Sequence, residues 1–437
     1  MRIKFMRTAI VAGTAAVAGL ATASPVLAAP VPTVQVPCRV SALASAISGA
    51  SNGAVLRLAS CTYVLASALP MIATRVTLQG AAATTIERSY AGSTPHFSLL
   101  SVGKGGNLTV TNVNFENGYA VDEGGAIDAE SGPVSVTGGT FTGNYAGEYG
   151  GAIWNEEGLT VTGATFTDNS AADYGGAIDS EDDATISGST FTGNTSEYGG
   201  ALENDDDVTL SSSTFTSNSA SEYGGAFYDD DGVTTVNKGT FVKNSATYGG
   251  AIEDEGDGIV VNNSYFQQNT ATSEGGAIAD YEGMTLNKDI FNYNFGPEYG
   301  GAVYTSDGAS IRGITLKGNQ ATTYGGGLYN DDDMTLTGGS FTSNTAEYGG
   351  GLYNEDEATV DGTSFQQNSA STAGGGIYQD GTFTHLNGSR VTFNHAPSGE
   401  GGGIYNDAGT VTLANTVVRF NIVNNCSPAL SVPGCTG

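Results

Sequence analysis

Residues 159–183 read LTVTGATFTDNSAADYGGAIDSEDD, and this stretch decides the fold because its landmarks return along most of the chain. The Gly-Gly-Ala-Ile segment recurs as Gly-Gly, then Ala or Gly, then Ile, Leu, Val or Phe. Twelve copies begin between Gly124 and Gly401, and successive copies start 24 to 27 residues apart. A fixed period of this length is typical of an array in which equivalent units stack on one another.

One period has the composition of short β-strands and lacks helical periodicity. Leu159 and Val161 alternate with threonine, Gly163 interrupts the run, and Phe166-x-x-Asn169 precedes the Gly-Gly pair. Such alternation, with abundant Thr, Val, Ile and Phe, predicts strands. The period is too short for a four-stranded propeller blade, and the framework of a leucine-rich repeat is missing. We therefore predict an all-β chain that folds as a right-handed parallel β-helix, a solenoid of about 25 residues per coil.

The landmarks are expected to form columns along this solenoid. The phenylalanines from Phe141 to Phe365 should stack inside, with Leu316 in the place of one ring. The asparagines from Asn144 to Asn368 should form an amide ladder at a turn. The aliphatic or aromatic residue after each Gly-Gly-Ala/Gly should form a second inward column, and the glycine pair should make a corner.

The first 28 residues have the features of an export signal. A basic start is followed by a small apolar run, and Val26-Leu27-Ala28 suits a cleavage site. We predict that residues 29–118 form an N-terminal cap with divergent first coils. Residues 119–421 should form the regular β-helix, and residues 422–437 a C-terminal disulfide tail. No segment after the signal is apolar enough to cross a membrane.

The four cysteines lie near the two ends of the chain. An exported protein meets an oxidising environment, and the end coils of an array fray most readily. We therefore predict the disulfides Cys38–Cys61 and Cys426–Cys435, each of which would staple one end.

The chain is strongly acidic, with 15 Lys and Arg against 45 Asp and Glu and a net charge of −30. Three basic residues and no acidic ones lie within residues 1–28, so removal of that segment changes the charge from −30 to −33. A surface of this charge repels nucleic acid and anionic membranes, so we expect no nucleic-acid partner. A monomer is the favoured state.

The paired landmarks Phe-x-x-Asn and Gly-Gly-Ala-Ile/Leu/Val resemble the repeats of the polymorphic outer-membrane proteins of chlamydiae, over about residues 115–421. Similar repeats occur in other exported bacterial β-helix proteins. The resemblance implies a surface or secreted β-helix, often with a role in adhesion. This chain ends at Cys435-Thr436-Gly437 without the membrane domain of the chlamydial members. Its two ends look like the caps of secreted actinobacterial members, so we expect a secreted protein or one loosely associated with the cell surface.

An enzyme is the main alternative, because β-helices also carry polysaccharide lyases and glycosidases. Arginine is scarce after position 88, and the three histidines are isolated: His96, His385 and His395. Carboxylate pairs such as Asp182-Asp183 could act as acid and base. Similar pairs recur in most coils, however, whereas a catalytic site should interrupt the pattern. We therefore expect no catalytic residues.

Acidic turns recur along the rod and form a candidate calcium ladder. Oxygen-rich, loop-borne carboxylates suit Ca²⁺, although the spacing matches neither an EF-hand nor the nonapeptide calcium repeat. The alternative is a solvated turn without metal, and no other cofactor is expected. The candidate ligands are Asp205, Asp206, Asp207, Asp229, Asp230, Asp231, Asp331, Asp332 and Asp333.

Aromatic residues form a second repeated pattern, just before and just after the Gly-Gly corner. Those that follow the inward aliphatic position should point outward by alternation and form a shallow contact surface for a glycan or a cell-surface protein. The alternative is that each ring packs on the next coil. The candidate surface residues are Trp154, Tyr228, Tyr304, Tyr329, Tyr353, Tyr378 and Tyr405.

These features favour a non-enzymatic adhesion or binding scaffold that is secreted or surface-associated. A polysaccharide-degrading enzyme and a purely structural envelope rod remain the alternatives, and the sequence does not name a ligand.

Overall fold

A computed structural model describes residues 31–397 and 399–436, so the predicted signal peptide lies outside the described residues. The paired strands run parallel, and each coil bonds to the equivalent strands of the next, as when Leu159–Thr162 pairs with Ala184–Ser187. The predicted all-β parallel solenoid is confirmed. Within the described residues one α-helix occurs, Val40–Ser48, which buries Leu43 and Ile47 against the first strands.

Each regular coil begins with two short strands that belong to a single 29-stranded sheet. The first strands of the successive coils are Thr33–Val36, Ala54–Leu58, Arg75–Gln79, Asn107–Thr111, Val134–Thr137, Leu159–Thr162, Ala184–Ser187, Val208–Ser211, Thr234–Asn237, Ile259–Asn262, Met284–Asn287, Ala309–Lys317, Met334–Thr342, Glu357–Asp361, Phe383–Asn387 and Thr410–Ala414. The second strands are Thr62–Leu65, Thr85–Arg88, Asn114–Glu116, Thr140–Thr142, Thr165–Thr167, Thr190–Thr192, Thr214–Thr216, Thr240–Val242, Tyr265–Gln267, Ile290–Asn292, Ser364–Gln366, Arg390–Thr392 and Val417–Arg419. In two coils the first and second strands are continuous, over Ala309–Lys317 and Met334–Thr342.

In eight coils the next element is a short strand that precedes the glycine corner, and these strands form a six-stranded and a two-stranded sheet. They are Tyr145–Ala146, Ser170–Ala171, Thr195–Tyr198, Ser219–Tyr223, Ser245–Tyr248, Thr270–Glu274, Thr345–Tyr348 and Ser369–Ala373.

The last strand of each coil follows the corner and belongs to a 14-stranded sheet. These strands are Leu100–Val102, Ile127–Ala129, Ile153–Asn155, Ile178–Ser180, Leu202–Asn204, Phe227–Asp229, Ile252–Asp254, Ile278–Asp280, Val303–Thr305, Leu328–Asn330, Leu352–Asn354, Ile377–Gln379, Ile404–Asn406 and Cys426–Ser427.

The predicted columns are confirmed inside the tube. Phe166 and Phe191 stack with ring centroids 4.8 Å apart, and Leu316 is fully buried in its place in the same column. Phe115, which the pattern analysis omitted, extends the column by one coil and lies 5.0 Å from Phe141. The aliphatic column after the corner is equally buried. These apolar contacts supply the main driving force for stacking coils.

The asparagine ladder is confirmed and joins the backbone of each coil to the next. Asn218 donates from Nδ2 to Asn244 Oδ1 at 3.1 Å and to the Phe191 carbonyl at 3.2 Å. Its own Oδ1 accepts from the Asn194 backbone at 3.0 Å. The ladder continues through Asn394 and Asn421.

The two glycines of the corner are needed for different reasons. Gly175 has φ +56°, a left-handed conformation that L side chains rarely adopt. A β-carbon on Gly176 would instead overlap the carbonyl oxygen of Gly200 in the next coil. The corner is therefore set both by backbone conformation and by the close approach of neighbouring coils.

Both predicted disulfides are present. Cys38 pairs with Cys61, and Cys426 pairs with Cys435. The second lies beside strand Cys426–Ser427, which bonds to Ile404–Asn406 and so continues the 14-stranded sheet into the tail.

Candidate functional site

Two aromatic rows flank the glycine corner on the outside of the tube. We call the tyrosines immediately before Gly-Gly the outer tyrosine row: Tyr149, Tyr174, Tyr198, Tyr223, Tyr248, Tyr299, Tyr324 and Tyr348. We call the residues that follow the inward aliphatic position the inner aromatic row: Trp154, Tyr228, Tyr304, Tyr329, Tyr353, Tyr378 and Tyr405. In the C-terminal half, tyrosines of both rows pack together as a cluster separate from the tube core.

The prediction that the inner aromatic row forms an exposed surface is wrong for six of its seven members. Tyr329 and Tyr353 are 5% exposed, and Trp154, Tyr228, Tyr304 and Tyr378 are also buried, whereas Tyr405 is half-buried. The rings point away from the tube core, as alternation requires, but rings of successive coils stack on one another. The Tyr329 and Tyr353 centroids are 5.1 Å apart with planes 8° from parallel.

The outer tyrosine row covers the inner one from the side. Tyr299 lies edge-on to Tyr329 with centroids 4.8 Å apart, and Tyr324 lies edge-on to Tyr353 at 4.9 Å. Rings from the strands on either side of the corner therefore meet outside the tube. The corner is concave, and its hollow is filled by aromatic packing.

Carboxylates from the acidic turns accept hydrogen bonds from the buried tyrosines. Tyr353 donates from its hydroxyl to Asp380 Oδ2 at 2.7 Å, and Tyr329 donates to Glu355. Tyr228 donates to Asp230 Oδ1 at 2.9 Å. Burial, reinforced by the Asp380 hydrogen bond, raises the pKa of Tyr353 above its ordinary value. Nothing in the sequence pattern of the acidic turns predicts this role.

The outer tyrosine row itself is half-buried. Its first five members contact one another without a break. Tyr149, Tyr174 and Tyr198 stack with centroids 5.5 and 4.7 Å apart, and the next two pairs are tilted, each with centroids 5.3 Å apart. Tyr198 donates to Glu222 Oε2 at 2.8 Å. Burial and then the charge of Glu203 raise the pKa of Tyr174 to about 12. The row presents phenol rings beside carboxylates over a distance of many coils.

The candidate calcium ladder separates into three environments. Two groups near the surface, each with one exposed and two half-buried members, bring three carboxylates within 4.8 Å of one another: Asp182, Asp183 and Asp206, and Asp332, Asp333 and Asp356. Only Asp206, Asp332 and Asp333 were among the candidate ligands. The remaining exposed or half-buried candidates join no such group within residues 31–397 and 399–436: Asp205, Asp207, Asp230, Asp231 and Asp331.

Asp229 is the exception, because it is fully buried and turns into the tube. It belongs to a set that we call the buried carboxylate column: Asp229, Asp254 and Asp280. These residues end three successive strands of the 14-stranded sheet and stand in register. Burial raises the pKa of all three above the ordinary value. The signal that could have revealed the column is a run of three aspartates at a position otherwise occupied mostly by Asn, Ser or Thr.

Three further carboxylates are buried on the outer side of strands of the 14-stranded sheet: Asp179, Glu203 and Glu253. Glu203 and Glu253 occupy positions of the inner aromatic row where tyrosine is absent, and Glu253 is 0% exposed. Burial raises the pKa of each well above its ordinary value. Both are screened from solvent by the surrounding side chains.

A groove of about 410 Å³ lies on the 29-stranded sheet and had no sequence signature. Its walls include Ala309, Met334, Phe383 and the acidic residues Asp333 and Glu357. The groove joins one of the acidic groups near the surface, through Asp333, to a partly apolar surface.

Two family models match parts of the repeat region of this chain. Residues 75–241 match the family model of the right-handed β-helix region. Residues 263–279 and 362–380 match the repeat of the Chlamydia polymorphic membrane protein. No curated protein and no solved structure is significantly similar to this chain.

The described residues contain no helix with the length and apolar character needed to cross a membrane. Parallel coils, the Phe and Asn columns and the two family matches agree with one another. The chain folds as a right-handed parallel β-helix, and two of its segments resemble the repeat of the polymorphic membrane protein.

Proposed function

We propose that this protein is a secreted or surface-associated binding scaffold that acts in adhesion without catalysis. The observation that carries the proposal is the outer tyrosine row. It remains partly accessible over five consecutive coils, from Tyr149 to Tyr248, and at Tyr198 the hydroxyl donates to the carboxylate of Glu222. Half-exposed tyrosines provide a large contact area at little cost in side-chain entropy, so they are frequent in binding surfaces.

The kind of partner follows from the chemistry of this row. Because neighbouring rings cover the ring faces, a partner would contact the apolar edges and the hydroxyls of the row, while the adjacent carboxylates accept hydrogen bonds from hydroxyl or amide groups. A glycan or a cell-surface protein would satisfy both. The match to a repeat of chlamydial surface proteins supports placement of the scaffold outside the cell.

A non-catalytic role is supported by the location of the most strongly perturbed carboxyl groups. Glu253 and the buried carboxylate column are fully buried, so a substrate would not reach them without opening a coil. Two acidic groups of the same composition lie near the surface in different coils, so neither interrupts the repeat as a catalytic site would.

The experiment uses the full chain without residues 1–28, applied to a glycan array and to cell-surface extracts. The triple variant Tyr174→Ser, Tyr198→Ser, Tyr223→Ser should lower the affinity at least tenfold, while Tyr90→Ser is the control because Tyr90 is 77% exposed and outside the row. Circular dichroism checks that both variants keep the β-helix. Retention of full binding by the triple variant would overturn the proposal. Release of reducing sugar or unsaturated uronide from any polysaccharide would favour the enzyme instead.

A further inference from the structure

The groove on the 29-stranded sheet lies where one position of the repeat changes from glycine to larger residues. In the register of the sheet, equivalent positions of four successive coils hold Gly308, Asp333, Glu357 and Phe383. Gly308 has no side chain, whereas Asp333 and Glu357 are exposed and Phe383 is half-buried. The larger side chains therefore form a wall beside a bare backbone, and the hollow has a volume of about 410 Å³.

The fold itself does not require glycine at position 308. The φ angle of Gly308 lies outside the left-handed region, and the nearest atom to an added β-carbon would be the Asp333 carbonyl oxygen at 3.9 Å. This is an ordinary contact, unlike the backbone overlap that Gly176 avoids at the corner. A longer side chain at position 308 would instead enter the groove. The glycine therefore keeps the groove open.

Three hydroxyl side chains line the groove in one row along the rod. Ser310, Thr335 and Thr359 pair in register on successive strands. Ser310 and Thr335 are exposed, while the residues that follow them, Ile311 and Leu336, are buried in the tube core. Hydroxyl groups both donate and accept hydrogen bonds, so this row can bond to the N–H and C=O groups of an extended peptide.

The groove is acidic. Asp333 and Glu357 line it, and none of the described residues that line it is Lys, Arg or His. Asp332 and Asp356 add to the negative charge, because their carboxylates lie within 4.8 Å of one another and of Asp333. Arg312, on the strand that begins at one side of the groove, is exposed but does not line it. Like charges at these distances repel one another, so a cation in the groove is favoured.

The arrangement favours a guanidinium group over other cations. Asp333 and Glu357 stand on neighbouring rungs, which are about 4.8 Å apart in a β-sheet. A guanidinium group has five N–H donors in a planar fork and can bond to both carboxylates, whereas the ammonium group of lysine is a compact point charge. The Phe383 ring, at the end of the wall, can pack against the guanidinium plane or its aliphatic stem. The volume also lies within the range of about 300–1,000 Å³ that is typical of ligand pockets.

We propose that this groove docks an arginine side chain carried by an extended segment of a partner protein. The guanidinium group pairs with Asp333 and Glu357, and the peptide backbone lies over the hydroxyl row. The groove belongs to the 29-stranded sheet, whereas the outer tyrosine row precedes the glycine corner. The proposal therefore does not depend on the function proposed for that row.

The test uses the full chain without residues 1–28 at about 0.15 M salt, where exposed charges more than about 8 Å apart are largely screened. Saturation-transfer NMR measures binding of the blocked tripeptide glycyl-arginyl-glycine amide and of its citrulline and lysine analogues. The arginine peptide should bind saturably. The citrulline peptide, in which a neutral urea group replaces guanidinium, should bind at least about tenfold more weakly. The lysine peptide should bind at least about threefold more weakly.

Gly308→Ile fills the groove without a change in charge and should lower the affinity for the arginine peptide at least about tenfold. The matched control is Gly158→Ile, because the nearest atom to a β-carbon at position 158 is also 3.9 Å away. In register, Gly158 is followed by Asp183 and Asp207, as Gly308 is by two acidic residues, but the next rung holds Val233 in place of a ring. The control should keep full affinity, and circular dichroism checks that both variants keep the β-helix.

The outcomes separate this groove from binding by charge alone. Full binding by Gly308→Ile, or equal losses in Gly308→Ile and Gly158→Ile, would mean that the peptide does not depend on this groove, and the proposal would be wrong. Equal binding of the three peptides would equally overturn the assignment to arginine.

A second variant covers the case in which Gly308→Ile does not fold. Glu357 is exposed, and Glu357→Gln keeps the shape of the side chain while it removes the charge. This variant should bind the arginine peptide at least about fivefold more weakly than the unchanged protein. Unchanged affinity would overturn the proposal.

Discussion

The ring of Tyr299 lies edge-on to the ring of Tyr329, with centroids 4.8 Å apart and planes at 67°. The two residues come from opposite sides of a glycine corner, so this contact closes the concave outer angle between two strands. Tyr329 also stacks on Tyr304 at 5.6 Å and on Tyr353 at 5.1 Å. The outside of the tube therefore contains a second, aromatic core that the first core does not touch.

This packing predicts a large loss of stability when one ring is removed. Tyr329→Ala should lower the free energy of unfolding by about 3–5 kcal/mol, because a buried ring is replaced by a cavity. Tyr90→Ala should change it by less than about 0.5 kcal/mol, since Tyr90 is 77% exposed. Urea denaturation followed by tyrosine fluorescence measures both. Equal effects of the two substitutions would show that the inner aromatic row is solvated.

The second glycine of each corner should tolerate no side chain. In Gly176→Ala the new β-carbon would overlap the Gly200 carbonyl, which is backbone and cannot move without breaking the sheet. We expect loss of soluble protein or a fall in Tm of at least about 5 °C. The matched control is Gly158→Ala, because a β-carbon there lies 3.9 Å from its nearest neighbour, the Asp183 carbonyl oxygen. The measurement is the Tm of the two variants, and similar values for Gly176→Ala and Gly158→Ala would contradict the predicted overlap.

The asparagine ladder should depend on each of its rungs. Asn218→Ala removes two donated hydrogen bonds and leaves the buried backbone N–H of Asn194 without its acceptor. Because an orphaned buried donor costs about 1–3 kcal/mol beyond the lost bonds, we expect a total loss of about 3–5 kcal/mol. Hydrogen exchange should accelerate in the coils on either side. Ser221→Ala, at an exposed position three residues later in the same coil, is the control and should leave exchange unchanged.

A buried aspartate should make stability decrease as the pH rises. Asp289 occupies a buried position where the adjacent coil has Ser264, accepts from the Ser264 backbone at 2.6 Å, and has no partner for Oδ2. Burial raises its pKa from 3.8 to about 7. The folded protein therefore prefers the protonated form, and the stabilisation present below about pH 4 is lost progressively as the pH rises to about 7.

The variant Asp289→Ser should reduce this loss, which amounts to at most about 4 kcal/mol for a pKa change of this size. Tm measured at pH 5 and pH 8 should differ less in the variant than in the wild type. Other buried carboxyl groups contribute equally to both proteins, so the comparison isolates Asp289. An identical pH dependence in the two proteins would mean that Asp289 is not buried in its folded environment.

Local pattern was sufficient to predict the coil. Alternation in residues such as Leu159 and Val161 predicted strands, and the regular return of Phe166 and Asn169 predicted the inward columns. Both predictions are confirmed, as are the two disulfides. These features depend on periodicity and on apolar and amide side chains that are favourable in only one orientation, facing the inside of the tube. Because the repeat length is nearly constant, neighbouring coils pair in register, and equivalent residues stack on one another.

The surroundings of Tyr329 and Asp254 were decided by the tertiary structure. Alternation correctly predicted that Tyr329 points away from the tube core. Its burial, however, depends on the shape of the corner and on contact with Tyr299, and no local sequence pattern describes either. Asp254 is followed in the sequence by Glu255, as in an acidic turn, yet its side chain is buried and lies between two other aspartates. The sequence determined which residues share a column, because that follows from the period. Only the path of the chain around each corner determined which columns face water, which face one another, and where carboxylates are left without donors.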